Sequence, residues 1–233
     1  MIRAPHVAAV LVLGSLLVAG GATGVARPEA QSAEAGRIRE ATIVLQEIMN
    51  APDRAVPKSI AGRAEGVAVF PNLIKGGFVF GGQWGRGVIS ARIPDKGTWS
   101  SPAFLTVAGG SFGAQIGGHA VDLVLIIMDR RGLSQLLRNQ FKIGVDAAAA
   151  AGPVGRAAEA STDILLRAQI LSYSRTRGLF AGVTVNGSTV KEDRNANGRF
   201  YGERFRTSDI LLEGRGGAPE SVPAWRDALI KYF

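Results

Sequence analysis

The stretch Lys75-Gly-Gly-Phe-Val-Phe-Gly-Gly-Gln-Trp-Gly-Arg-Gly87 sets six glycines among two phenylalanines, a tryptophan and two basic residues. It is either a phosphate cradle or the inside of a sheet. A dinucleotide fingerprint needs G-x-G-x-x-G leaving a strand and opening a helix. The nearest fit, Gly85-Arg86-Gly87-Val88-Ile89-Ser90, lacks the third glycine, and more strand follows it. No G-x-x-x-x-G-K-[ST] run exists either. Alternation gives the better account. On a strand, Phe78, Phe80, Trp84, Arg86 and Val88 point one way, and Val79, Gly81, Gln83, Gly85 and Gly87 the other. A strand with one nearly bare face lets a second layer approach closely or lets the sheet coil into a barrel. Gly109-Gly110, Gly113 and Gly117-Gly118 repeat the device.

Outward from this stretch, strands read at Gly66–Phe70, ended by Pro71-Asn72, then at Gly76–Arg92 as one long strand or a pair, and at Trp99–Val107. The apolar run Val121–Met128 reads as a buried strand from its valines and isoleucines. Asn186-Gly187, between β-branched residues, predicts a two-residue hairpin over Val183–Val190. Helices are expected at Arg37–Asn50, where Ile38, Ala41, Leu45 and Ile48 recur at spacings of three and four. Shorter ones are expected at Pro57–Ala64, after Asp129, at Arg156–Ala168, at Thr207–Leu212 and along the Val222, Trp225, Leu229, Tyr232 stripe. The fold class is α+β: a glycine-rich, mainly antiparallel coiled sheet or barrel-like core with flanking helices.

The chain has 233 residues, a net charge of +8 and no cysteine. Disulfides, thiolate catalysis and zinc–thiolate sites are excluded. The charge favours anionic partners. Met1-Ile2-Arg3, the apolar run Val7–Val18 and small residues to Ala26 have the layout of a secretory signal peptide over 1–26. An uncleaved anchor is the alternative, with a run short for a span of about 20 residues. Residues 27–36 read as a linker and 37–233 as a single domain, exported to the periplasm or cell envelope.

The pattern Ala64-x-Gly66-Val-Ala-Val-Phe-Pro71, Lys75-x-Gly77-Phe78, Gly82-x-x-Gly85-x-Gly87-Val88 and Arg92 continues in Trp99-Ser-x-Pro102 and Gly113-x-Gln115-x-Gly117. Gly144-x-Asp146, Ala151-Gly-Pro-Val-Gly-Arg156, Tyr173-Ser174-Arg175, Gly178-Leu-Phe-Ala-Gly182 and Tyr201-Gly202 complete it. Over Ile38 to Gly202 this resembles the SYLF domain, a lipid-binding or yeast-type actin-binding domain. The resemblance implies a non-enzymatic, membrane-associated module. Eukaryotic members bind phosphoinositides, partly through an amphipathic N-terminal helix, and some fungal members bind actin. Members with a signal peptide resemble bacterial envelope proteins. The partner expected here is anionic membrane lipid at the membrane periphery. An envelope protein or polymer is the alternative; nucleic acid and cofactors are not expected.

The candidate lipid-binding residues are Lys58, Arg63, Lys75, Arg86, Arg92, Arg156, Arg175 and Arg177, with Phe78 and Trp84 beside them. A basic side chain near an anionic surface contributes about 1 kcal/mol. Convergence of Lys75, Arg86, Arg92 and Arg156 on one surface would favour lipid; an exposed apolar patch would favour a protein. Helix Arg37–Asn50 has a nearly neutral polar face, which favours packing on the sheet. Asp193, Asn195 and Asn197 match half of a calcium loop, but Arg204 stands where the closing glutamate belongs, so a plain turn is expected. Asp122, in an apolar run, needs a partner such as Arg92 or a backbone donor. His119 and Asp122 are the weak catalytic alternative, and no serine stands in a nucleophile motif.

Overall fold

Two adjacent strands, β1 (Gly66–Gly77) and β2 (Phe80–Ile93), carry the glycine-rich stretch and pair antiparallel. Pro71-Asn72 does not end β1. The register passes from Val69↔Val88 to Ile74↔Trp84, so β1 holds one extra residue there. The same extra residue separates Phe70↔Leu123 from Leu73↔Val121 on the other flank. This is a β-bulge, with Asn72 at φ 52°, a conformation that asparagine tolerates better than most residues. The N–H that the bulge withdraws from the ladder donates to Asp122 Oδ1 at 3.0 Å.

The bulge explains the bare glycine face. Phe70 and Leu73 fold across β2 where Gly85 and Gly87 stand. A Cβ on Gly87 would lie 2.4 Å from the Val69 oxygen and 2.5 Å from the Phe70 ring; one on Gly85 would lie 2.9 Å from Leu73. The glycines are therefore structural, as the alternation predicts.

The structure, a computed structural model, describes residues 28–51, 56–77, 80–94, 96–112, 117–138, 140–154, 167–176, 179–217 and 219–233. Helix α1 (Pro28–Met49) and the short α2 (Lys58–Ala61) precede β1. After β2 come β3 (Thr98–Trp99), β4 (Ala103–Phe112), β5 (Gly117–Ile127), α3 (Arg130–Leu136), β6 (Gln140–Lys142), β7 (Ala149–Ala151), β8 (Ile170–Thr176) and β9 (Leu179–Gly182). Strand β10 (Thr189–Glu192) leads into α4 (Arg194–Tyr201), α5 (Thr207–Leu211) and α6 (Val222–Tyr232).

The strand order is β6-β10-β4-β2-β1-β5-β8-β7, with β3 beside β2 and β9 beside β8. All pairings are antiparallel except β7 with β8. Strands β6 and β7 stand at opposite ends of this order, yet residues 143–148 alone connect them. A flat sheet of that width would separate its edges by about 34 Å, and the connection reaches about 25 Å. The sheet must curl, and it forms a half-barrel.

Curling creates two apolar layers. Inside, Phe70, Leu73, Ile89, Leu105, Leu123, Leu125, Phe141 and Val190 pack together, with Leu133 and Leu136 of α3 and Ile210 and Leu211 of α5. Outside, Val67, Val69, Val88, Phe104, Val124, Ile126 and Tyr173 meet Ile38, Ala41, Leu45 and Ile48 of α1 and Trp225 and Leu229 of α6. Trp225 Nε1 donates to Ser90 Oγ at 2.8 Å, which fixes α6 to β2.

Helix α1 starts at Pro28, inside the stretch read as linker. Proline suits a first helical turn, and the Glu- and Ala-rich residues after it favour helix. Asp129 caps α3 as expected, accepting from Gly132 N at 2.6 Å. The hairpin expected over Val183–Val190 does not form. Its turn does, with Gly187 at φ 84° and Ser188 N donating to the Val185 oxygen at 3.2 Å. Strand β10 instead pairs with β4 and β6, while Val185 is buried in the inner layer. The helix expected at Arg156–Ala168 falls almost wholly outside the described residues.

Gly87→Ala should destabilise the protein by about 3 kcal/mol, the overpacking cost. Gly82→Ala, with nothing within 4 Å of its added carbon, should change stability by less than about 0.5 kcal/mol. Urea unfolding of both variants checks the contrast.

Candidate functional site

The outer face of the sheet is covered by α1 only in part. Arg37 lies over the Phe104 ring of β4 at 5.3 Å. Glu40 shares a groove with Trp84 of β2 and Asn72 of β1. Glu47 pairs with Arg175 of β8, and Asn50 Nδ2 donates to the Tyr232 hydroxyl of α6 at 2.9 Å. The helix thus crosses the sheet from β4 to β8.

One transverse row lies beyond this cover. Register places Trp84 between Ala108 and Ile74, with Ala120 beyond Ile74. All four are exposed, Ile74 by 56% and Trp84 by 46%. The next row is glycine on four adjacent strands: Gly110, Gly82, Gly76 and Gly118. Arg86 stacks over the Trp84 ring at 5.2 Å. A groove opens on each side of this pair. One, of about 490 Å³, is lined by Thr106, Glu192, Asp193, Arg194 and Asn195. The other, of about 400 Å³, is lined by Arg37, Glu40, Pro71 and Asn72. Trp84 and Arg86 line both.

The predicted basic residues do not gather there. Lys75 pairs with Gln83, one position from the Ile74–Trp84 pair, and so faces the inner side; burial pushes its ammonium pKa down. Arg92 is a clamp within the fold. Its guanidinium donates to the backbone oxygens of Ala64 at 2.8 Å and Phe233 at 2.5 Å and lies 4.9 Å over Trp99. Arg175 is held by Asp122 at 2.5 Å and by Glu47. Of the two partners expected for Asp122, the backbone donor is present as the Asn72 N–H, while the cation is Arg175 and not Arg92. Lys58 and Arg63 are exposed at α2, whose Ala61 oxygen accepts from Arg92 at 3.4 Å. Phe78, Arg156 and Arg177 lie outside the described residues, as does the side chain of His119.

The calcium-loop residues form neither a cation site nor a plain turn. Asp193 is the N-cap of α4, accepting from Ala196 N at 2.9 Å. Asn197 is buried, accepting from Phe104 N at 2.9 Å and donating to the Phe205 oxygen at 3.1 Å. Asn195 accepts from Arg204, which stands where glutamate would close a calcium loop. Among the described residues no group of three acidic, histidine or cysteine side chains is arranged to hold a metal, and no helix is long and apolar enough to cross a membrane.

Ile74 and Arg37 belong to the site and were not singled out from the sequence. Ile74 reads as core until the bulge is known. Arg37 reads as solvent-facing until α1 is laid over Phe104.

The fold is a curled antiparallel sheet with a partly covered outer face and an exposed tryptophan between two open grooves. The chain belongs to the family described as "Ysc84: Las17-binding protein actin regulator", whose model matches residues 108–232. This is the SYLF family to which the sequence motifs point. The chain is 34% identical over 197 residues to LAS seventeen-binding protein 3 of Saccharomyces cerevisiae, covering 83% of this chain and 42% of that protein. Over the same length it is 34% identical to Protein YSC84 of that yeast, covering 41% of it. It is 34% identical over 176 residues to human SH3 domain-containing YSC84-like protein 1, covering 75% of this chain and 50% of that one. The chain thus spans about half the length of these relatives or less. No solved structure matches it.

Arg92→Met should lower stability by about 2–3 kcal/mol, because it leaves inward-facing backbone oxygens without their donor. Arg86→Met, at an exposed position, should cost less than about 0.5 kcal/mol. Denaturant midpoints of the two variants separate a fold clamp from a surface residue.

Proposed function

We propose that this chain is a non-enzymatic binding module that docks a protein partner on its Trp84–Arg86 face. One observation carries this. A half-exposed tryptophan, with an arginine stacked on it and an exposed isoleucine beside it, stands between two grooves. Tryptophan and arginine are the side chains that most often dominate the energy of protein interfaces. The family description and the yeast relatives' names speak of binding and regulating, not of a reaction. The signal-type amino terminus supports a partner in the cell envelope, met after export.

Anionic membrane lipid is the second reading. The +8 charge and the uncovered Trp84–Ile74 row favour it, since aromatic side chains suit a membrane interface. Against it, Lys75 and Arg86 face opposite sides of the sheet, and Arg92 and Arg175 are engaged within the fold.

A photo-crosslinking amino acid placed at position 84 in cells should give a discrete protein adduct. The same group at Leu212, an exposed control, should not. Arg86→Glu should lower the adduct yield at least about fivefold. Absence of any protein adduct sinks the first reading. Salt-sensitive flotation of the purified chain with phosphatidylglycerol vesicles, lost in Arg86→Glu, would install the second.

A further inference from the structure

The outer side of β4 is only partly filled by its neighbour. Phe104 N–H donates to Asn197 Oδ1, and the Phe104 oxygen accepts from Asp193 N, each at 2.9 Å. Both backbone groups of Phe104 therefore face the β10 side. In an unbroken strand every second residue repeats that direction. The register of β4 with β2 runs without a shift from Ala103 to Phe112, so Thr106, Ala108, Gly110 and Phe112 face the β10 side as well. Strand β10 fills this side only as far as the Thr189↔Ala108 pair. Before Thr189 the chain leaves the ladder, and Ser188 lies against Gly109 where Gln83 Nε2 donates to its hydroxyl. Among the described residues no strand takes the next two positions, and Gly110 is exposed. Unpaired N–H and C=O groups on a strand edge are a template for another strand. The fold closes this hazard elsewhere. Lys142 N of β6, which points away from β10, donates to Asp146 Oδ2 at 2.6 Å.

The surface beside the free edge is bare without an internal cause. A Cβ on Gly82 would have nothing within 4 Å, and one on Gly110 would meet only the Gly81 oxygen at 3.9 Å. Gly85 and Gly87 are bare because Leu73 and Phe70 occupy their space. Ala108, Gly110 and Gly82 form an open floor from the free edge to Trp84.

We propose that the protein partner docks as a β-strand: an extended segment adds to β4 at Gly110 and Phe112, in line with β10, and lays a large apolar side chain over Gly110 and Gly82 toward Trp84. Strand addition rests on the docking reading above and specifies what the partner presents. In this mode main-chain hydrogen bonds supply affinity, and alternate side chains supply specificity. The residue opposite Gly110 shares its face of the sheet and therefore projects to the outer side. Adjacent strands stand about 4.8 Å apart, which puts the added strand about 10 Å from β2. A side chain crosses that span only where the positions between are small, as Gly110 and Gly82 are. The opposite flank is less suited, because β1 separates β5 from the strand that carries Trp84.

The crosslinker at position 84 supplies the readout in cells. Gly110→Pro removes the N–H that an added strand needs, and a strand edge tolerates proline where that N–H faces solvent. Gly110→Ala keeps the N–H and is the control. The adduct yield should fall at least about tenfold in Gly110→Pro and less than about twofold in Gly110→Ala, the contrast expected for one ladder hydrogen bond and its steric block. Mass spectrometry of the adduct identifies the crosslinked segment. A synthetic copy of that segment should slow amide exchange at Gly110 and Phe112 in the unaltered chain, which keeps the test decisive if Gly110→Pro impairs folding. Equal yields in the two variants, or unchanged exchange at those amides, overturn strand addition and leave docking on the Trp84–Arg86 face standing. An adduct formed with a second copy of this chain overturns the partner assigned here. Absence of any adduct without the Gly110 substitutions removes strand addition and the docking reading together.

Discussion

The contact of Phe70 and Leu73 with Gly85 and Gly87 is the constraint on which the rest of the molecule depends. An extra residue in β1 throws two large side chains across the neighbouring strand, and only a strand without side chains there admits them. The strong local twist that follows curls the sheet. Curling separates an inner layer from an outer one and brings the ends of the strand order within reach of residues 143–148. It also turns the far end of β2 away from the helices, so that Trp84 and Ile74 emerge where Val88, four positions along the same face, is covered.

Charge placement follows from this geometry. Asp122 serves the N–H freed by the bulge, Arg175 compensates Asp122, and Glu47 of α1 reaches Arg175. A backbone irregularity thereby fixes where a helix crosses the sheet. Two of the basic residues on the strands, Arg92 and Arg175, are consumed in such internal roles. Arg86 differs, lying on a tryptophan at the margin of two grooves.

Much of the fold was legible because its signals are local. Alternation about Trp84 separates the bulky face from the bare one, the valines and isoleucines of Val121–Ile127 mark a buried strand, and Asp129 announces a cap. The bulge was not legible, because Pro71-Asn72 has the same composition whether a strand ends or is interrupted. The hairpin at Asn186-Gly187 failed for a related reason: local chemistry fixes the turn, while β4 and β6, distant in sequence, decide what pairs with β10. Of the candidate groove, Trp84 and Arg86 stand out from the alternation of their own strand. The inward face of Lys75 and the internal partners of Arg92 and Arg175 were not legible, because sign of charge says nothing about which face or partner a side chain meets.

The outer layer is assembled from helices far apart in the sequence. Helix α1 and helix α6 join through Asn50 and Tyr232, and Arg92 holds the Phe233 backbone oxygen. Contacts of this sequence separation close a large loop, and such closure is slow. Until α6 is available, the apolar stripe of α1 and the outer strand faces lack their last cover. Folding of this layer therefore waits for α6, and a chain that has not yet docked it presents a long hydrophobic surface to whatever handles it.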